Sequence, residues 1–142
     1  MIVYFDTSAF VPLLVAEPSS EFCGRLWDEA DTVVTSRLLH VETAAALAQA
    51  LRLDRLTVRS HQSALRGLRR LWAEMDLVEA DEDVVGRAAE LAHSCSLRGY
   101  DALHCASAER LDGSDLVVAS GDRKLLDACG SIGLTTADVN RQ

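Results

Sequence analysis

Several short stretches of this chain are apolar through their middles without alternating with polar residues, and this constrains the fold more than any other feature. Ile2-Val-Tyr-Phe5, Thr32-Val-Val-Thr35 and Asp115-Leu-Val-Val-Ala119 are rich in β-favouring side chains. A strand that does not alternate is one buried on both faces. Further short strands are predicted at Asp76–Ala80 and Gly133–Thr136. Between the strands lie segments of helical periodicity, near 19–31, 37–51, 57–75, 81–97 and 100–113, and from Asp122 to about Cys129. Strands buried on both faces and separated by helices predict a three-layer α/β/α sandwich around a mainly parallel sheet of about five strands.

Size and composition leave room for that architecture and exclude others. At 142 residues the chain is expected to be one domain, 1–142, large enough to bury a core without metal or disulfide staples. No apolar run approaches the ~20 residues of a membrane span. No leader peptide is expected, because the chain opens directly on a strand. Cys23, Cys95, Cys105 and Cys129 are scattered, with no C-x-x-C spacing, so neither a zinc site nor a disulfide framework is expected. A reducing cytoplasm suits them. Net charge is −8, yet residues 37–70 carry +5 and the remainder −13. A local basic surface can guide a polyanion even on an acidic protein; a solvated helix face or a docking site for an acidic partner is the plainer alternative. Arg66, Arg69 and Arg70 are its densest part.

Four carboxylates stand out by position. Asp6 ends the first predicted strand, just before a short helix for which Ser8 is the expected N-cap and whose first turn holds Pro12. Glu42 lies early in the third helix, on a face with Leu38, Val41, Ala45 and Ala48 that is expected to pack inward. Asp101 opens a helix on a face with His104, Cys105, Ala108 and Leu111; His104 itself reads as a satisfied, partly buried histidine rather than a ligand. Asp122 follows the fourth strand through Ser120-Gly121. Each alone has an ordinary reading as cap, turn or surface residue. Together they are expected at the carboxyl edge of the sheet, where open α/β folds place their chemistry.

Four acids gathered without basic partners would repel one another, and some would hold protons. A hard divalent cation relieves this, and an all-oxygen, carboxylate-rich site suits Mg²⁺, with Mn²⁺ as a substitute. Such a metal can activate water and stabilise charge on a phosphodiester. No G-x-S-x-G, Walker loop or Cys–His arrangement offers a rival nucleophile.

The segments Tyr4-Phe-Asp6-Thr-Ser8, Val41-Glu-Thr-Ala-Ala45, Tyr100-Asp-Ala-Leu-His-Cys-Ala-Ser-Ala108 and Ser120-Gly-Asp122 resemble the PIN-domain nucleases. Length and the basic central helix pair resemble the VapC toxins of bacterial VapBC toxin–antitoxin modules. The resemblance implies a Mg²⁺-dependent endoribonuclease, a homodimer, and inhibition by a VapB-type antitoxin whose tail blocks the acidic site, with DNA reached only through that antitoxin. It assigns metal and catalytic roles to Asp6, Glu42, Asp101 and Asp122, with Ser8 and Ser120 as supporting hydroxyls. Asp6 and Asp101 would hold the metal directly, and Glu42 and Asp122 would complete its shell or position water. Arg66, Arg69 and Arg70 would grip the RNA backbone. The chain departs from the family at Ser120, where Thr is frequent, and at Arg123-Lys124, where a further acid is frequent. Two other classes stay open: a receiver-like Mg²⁺-binding signalling domain, and a catalytically silent PIN-like binding module.

Overall fold

The computed structural model describes residues 1–111 and 115–141. Its five strands are β1 (Ile2–Phe5), β2 (Thr32–Ser36), β3 (Asp76–Val78), β4 (Leu116–Ser120) and β5 (Thr135–Asp138). They pair in parallel throughout, in the order β3-β2-β1-β4-β5. β1 lies at the centre, with Val3 opposite Val33 on one side and Val117 on the other. That position explains its unbroken apolar run: Val3 and Phe5 point into one hydrophobic cluster and Tyr4 into another. A receiver domain has the order 2-1-3-4-5, so this topology excludes it.

The described helices are α1 (Thr7–Phe10), α2 (Ser20–Glu29), α3 (Leu38–Arg52), α4 (Val58–Trp72), α5 (Glu82–Ser94), α6 (Gly99–Glu109) and α7 (Arg123–Ser131). On one face of the sheet, Val84, Ala88 and Leu91 of α5, the buried side of α6, and Leu125, Ala128 and Cys129 of α7 close over Tyr4, Val34 and Val118. On the other, Phe10, Cys23, Leu26, Leu39 and Leu68 cover Val3, Phe5, Val33 and Ala119, with Trp27 and Trp72 at the margin. The small side chains of α6 let it pack close: Ala102 through Ala108 are all buried.

Several boundaries differ from expectation for local reasons. The first helix starts at Thr7, capped by Asp6, so Ser8 is not its N-cap. Pro12 therefore falls beyond the first turn, where its missing N–H breaks the α-helix, and Val11–Leu13 form a 3-10 turn instead. The last strand starts at Thr135 rather than Gly133, because the Gly133 and Leu134 amides bond back to the Gly130 and Cys129 carbonyls at the end of α7. Gly133 has φ +90°, the left-handed geometry favoured just past a helix end. The inward stripe of α3 is Leu39, Thr43 and Leu47; Val41, expected inside, is 58% exposed, and Ala45 is exposed too. Glu42 sits on the flank of that stripe. The predicted end of the sixth helix at Gly113 lies outside the described residues. Cys23, Cys95, Cys105 and Cys129 are free thiols.

Candidate metal-binding active site

The strands on either side of β1 run to the two halves of the sheet, so the crevice at its carboxyl end is the topological switch point. Asp6 is the first residue past that end and is only 4% exposed. One carboxylate oxygen, Oδ1, accepts from the Ser8 hydroxyl at 2.7 Å and the Ala9 amide at 3.2 Å. The other, Oδ2, accepts from Ser120 Oγ at 2.9 Å. Burial raises the Asp6 carboxyl above its usual range; the positive field of His104 and the hydroxyls of Ser8 and Ser120 oppose that rise without cancelling it. Asp6 is thus both the cap of α1 and a carboxylate held in fixed orientation. Ser8 also accepts the Gly121 amide at 2.7 Å, which ties the β1–α1 turn to the β4–α7 turn. A Cβ at Gly121 would stand 2.9 Å from Asn140 Nδ2 and 3.3 Å from a Val139 methyl, so a larger residue there would have to push those side chains aside.

Glu42 reaches the same crevice from α3. Its Oε1 receives the Thr7 hydroxyl at 3.0 Å and faces His104 Nε2 at 2.6 Å. His104 Nδ1 in turn lies 2.7 Å from the Tyr4 hydroxyl. With Glu42 ionised, Nε2–H donates to the carboxylate, while Nδ1 pairs with the buried tyrosine hydroxyl. Burial pushes the Glu42 carboxyl up, but His104, Thr7 and the Arg98 charge outweigh it and leave the group below its ordinary value. His104 is 3% exposed, so it is wholly rather than partly buried. Its role is to orient Glu42, which the periodicity of α6 did not reveal.

Asp101 and Asp122 complete the set. Asp122 caps α7, with Oδ1 accepting the Leu125 amide at 3.2 Å. Asp101 lies in the first turn of α6. A guanidinium stands between them: Arg98 Nη2 is 3.1 Å from Asp101 Oδ2 and 3.7 Å from Asp122 Oδ2. The expectation of an acid quartet without basic partners is therefore corrected. Arg98 lies just before α6 and is followed by Gly99, and in the sequence it reads only as a helix break.

All four carboxylates line one cleft of about 440 Å³, together with Thr7, Ser8, Glu17, Arg98, His104 and Asn140. Among the described residues, no three acid, histidine or cysteine side chains stand close enough to chelate an ion in this arrangement. The donor chemistry nonetheless fits a hard cation. Every acid presents oxygen, Asp6 is buried with its lone pairs directed by hydroxyls, and the guanidinium in the cleft is on a largely exposed side chain rather than a packed one. Arg66, Arg69 and Arg70 are elsewhere. They are exposed on α4, and Arg66 and Arg70 border a shallow depression with Leu13, Leu14 and Ser63. Among the described residues they form no ion pair, nor do Arg52, Arg55 and Arg59, whereas Arg37 is engaged with Glu79. No described helix is long and apolar enough to cross a membrane.

Comparison with known proteins bears on this geometry. The PIN domain family matches residues 3–130. Ribonuclease VapC45 of Mycobacterium tuberculosis (strain CDC 1551 / Oshkosh) is 41% identical over 136 residues, covering 96% of this chain and 94% of that protein. Among solved structures, FitAcB from Neisseria gonorrhoeae superposes with a TM-score of 0.73 at 18% identity, with both chains fully covered. VapBC-5 from Mycobacterium tuberculosis, a member of the VapBC family of toxin–antitoxin systems, superposes with a TM-score of 0.58 at 20% identity, over 96% of this chain and 95% of that one.

Proposed function

The chain belongs to the PIN-domain family, among the VapC proteins, and from that premise we propose that it is a metal-dependent endoribonuclease acting as the toxin of a toxin–antitoxin pair. The observation that carries the reading is the meeting of Asp6, Glu42, Asp101 and Asp122, from four separate segments, in one cleft at the carboxyl end of a parallel sheet. The VapC45 relative is named a ribonuclease, which supports RNA as the substrate class.

Asp6, Glu42, Asp101 and Asp122 would hold Mg²⁺ or Mn²⁺. When bound, the ion would supply an activated water and a counter-charge for the phosphodiester. The chain's own contribution is orientation and protonation. Ser8, Ser120 and the Ala9 amide aim Asp6 into the cleft and offset part of the cost of ionising it there. His104 keeps Glu42 an acceptor, in position to direct or take a proton from water. The unpaired arginines of the α3–α4 pair provide a polyanion track outside the cleft.

The partner in this reading is a VapB-type antitoxin whose tail occupies the acidic cleft. The active form is a cytoplasmic homodimer, joined into a larger assembly by the antitoxin, which alone touches DNA. The test is cleavage of RNA on a gel under Mg²⁺ or Mn²⁺ titration, with chelator reversal. Metal-dependent internal cuts are the expected result. Metal-dependent RNA binding with no cut product would instead make the protein a silent PIN-like binding module.

A further inference from the structure

We propose that the Arg98 guanidinium is the resident counter-ion of the acidic cleft, holding Asp101 and Asp122 in the absence of metal, so that a divalent cation must displace it to bind. The proposal rests on the metal-binding reading given above and concerns what this chain sets against that binding.

The contacts define the role. Arg98 Nε and Nη2 lie 3.2 Å and 3.1 Å from Asp101 Oδ2, and Nη2 is 3.7 Å from Asp122 Oδ2. One planar cation thus serves two acids carried by different helices, α6 and α7. It also lines the cleft beside Glu42, whose carboxylate lies in its field. Among the described residues no third basic side chain lines this cleft besides Arg98 and His104, and His104 is committed to Glu42 and Tyr4. The neutralisation that Asp101 and Asp122 require without metal therefore falls to Arg98.

The same contacts show why it yields. The Arg98 side chain is 83% exposed, whereas those of Asp101 and Asp122 are 14% and 28% exposed. The acids are fixed parts of the cleft, and the cation reaches them from solvent. Its backbone is extended, with φ −66° and ψ 158°, at the N-cap of α6, where its carbonyl accepts the Ala102 amide and its side chain is left to solvent. Exposed ion pairs of this kind are weak, and a divalent ion on the same oxygens outcompetes them. Arg98 then tunes how much metal the enzyme needs before its site assembles.

The test is Mn²⁺ binding by calorimetry, with the metal alone and no RNA, on the full chain as wild type, Arg98→Gln and Arg98→Lys. Circular dichroism shows whether each variant keeps its fold. Arg98→Gln is expected to bind Mn²⁺ about tenfold more tightly than wild type, because two weak ion pairs no longer compete. Arg98→Lys, which keeps the charge but not the fork, falls between. Thermal melting gives a second readout: Mn²⁺ raises the melting temperature of Arg98→Gln by more than that of wild type. Equal or weaker Mn²⁺ binding by folded Arg98→Gln overturns the role of Arg98 and leaves the metal site standing. No Mn²⁺ binding by any of the three proteins overturns the metal reading, and this proposal with it.

Discussion

His104 links Tyr4 to Glu42: its Nδ1 lies 2.7 Å from the Tyr4 hydroxyl and its Nε2 lies 2.6 Å from Glu42 Oε1. The relay runs from the central strand β1 through α6 to α3, so the rigidity of the sheet is passed to a carboxylate on a helix that packs only partly against it. Outer partners of this kind are worth about 10–100-fold in activity or metal affinity. His104→Ala is therefore expected to lower RNA cleavage about 10–100-fold. Tyr4→Phe, which removes one hydroxyl and leaves the imidazole on Glu42, should lower it less. Cleavage rates on a defined RNA, with circular dichroism to confirm folding, check both. A larger loss in Tyr4→Phe than in His104→Ala would reverse the assigned order of the relay.

Asp6 and Glu42 make opposite contributions to pH-dependent stability in the metal-free protein. Burial raises the Asp6 carboxyl, so the folded state holds that proton more tightly than the unfolded state. Stability of wild type relative to Asp6→Asn then falls as pH rises through the folded value and recovers on acidification. For Glu42, burial alone would raise the carboxyl, but His104 and Thr7 bring it below the ordinary value. Its contribution is present above the unfolded value and is lost as pH falls through the folded one. Urea unfolding of wild type, Asp6→Asn and Glu42→Gln from pH 3 to pH 7 reads both slopes, and two slopes of the same sign would contradict the local electrostatics.

Thr43 offers a test of packing separate from chemistry. Its hydroxyl is fully buried on the inward stripe of α3 and has no hydrogen-bond partner among the described residues. A buried polar group left unpaired costs about 1–3 kcal/mol. Thr43→Val keeps the shape and is expected to raise stability by about 1 kcal/mol in urea unfolding, with RNA cleavage unchanged. A loss of stability would mean that the hydroxyl has a water or backbone partner.

Much of this was legible from side-chain patterning, and what was not has identifiable physical causes. Unalternating runs such as Ile2–Phe5 mark strands covered on both faces, and once those strands are parallel the carboxyl ends share an edge. That is why Asp6, Glu42, Asp101 and Asp122 can be grouped without coordinates. Helix faces are read less well: in the alanine-rich α3, periodicity cannot separate Val41 from Leu39, and only packing against α4 and the sheet selects the Leu39, Thr43 and Leu47 stripe. Arg98 and His104 were missed as site residues for another reason. A charge beside a helix-breaking glycine carries no signal of what it reaches, and a histidine on an apolar face reads as core until its two nitrogens find Tyr4 and Glu42. Asp6 rather than Ser8 caps the first helix, a difference the sequence does not reveal because either residue type caps well.

The basic helix pair makes its own prediction. Arg66, Arg69 and Arg70 are exposed, form no ion pair among the described residues, and lie outside the acidic cleft. Replacing all three with Gln should weaken RNA binding and reduce the slope of log affinity against log salt by about 2, at ~0.7 per phosphate contact on a single strand. Single-turnover cleavage at saturating RNA should change far less. An unchanged salt slope would transfer these arginines to a protein interface.

The most direct measurement is the rate of RNA cleavage by Asp6→Asn and Asp101→Asn beside wild type at saturating Mg²⁺. Each replacement keeps the volume of the side chain while removing its charge and turning one acceptor oxygen into an amide donor, and Asn caps a helix as well as Asp does. Both variants are expected to fold and to cleave about a hundredfold or more slowly, at least the upper end of what losing an outer partner costs. Cleavage by either variant at the wild-type rate would contradict the metal-site reading.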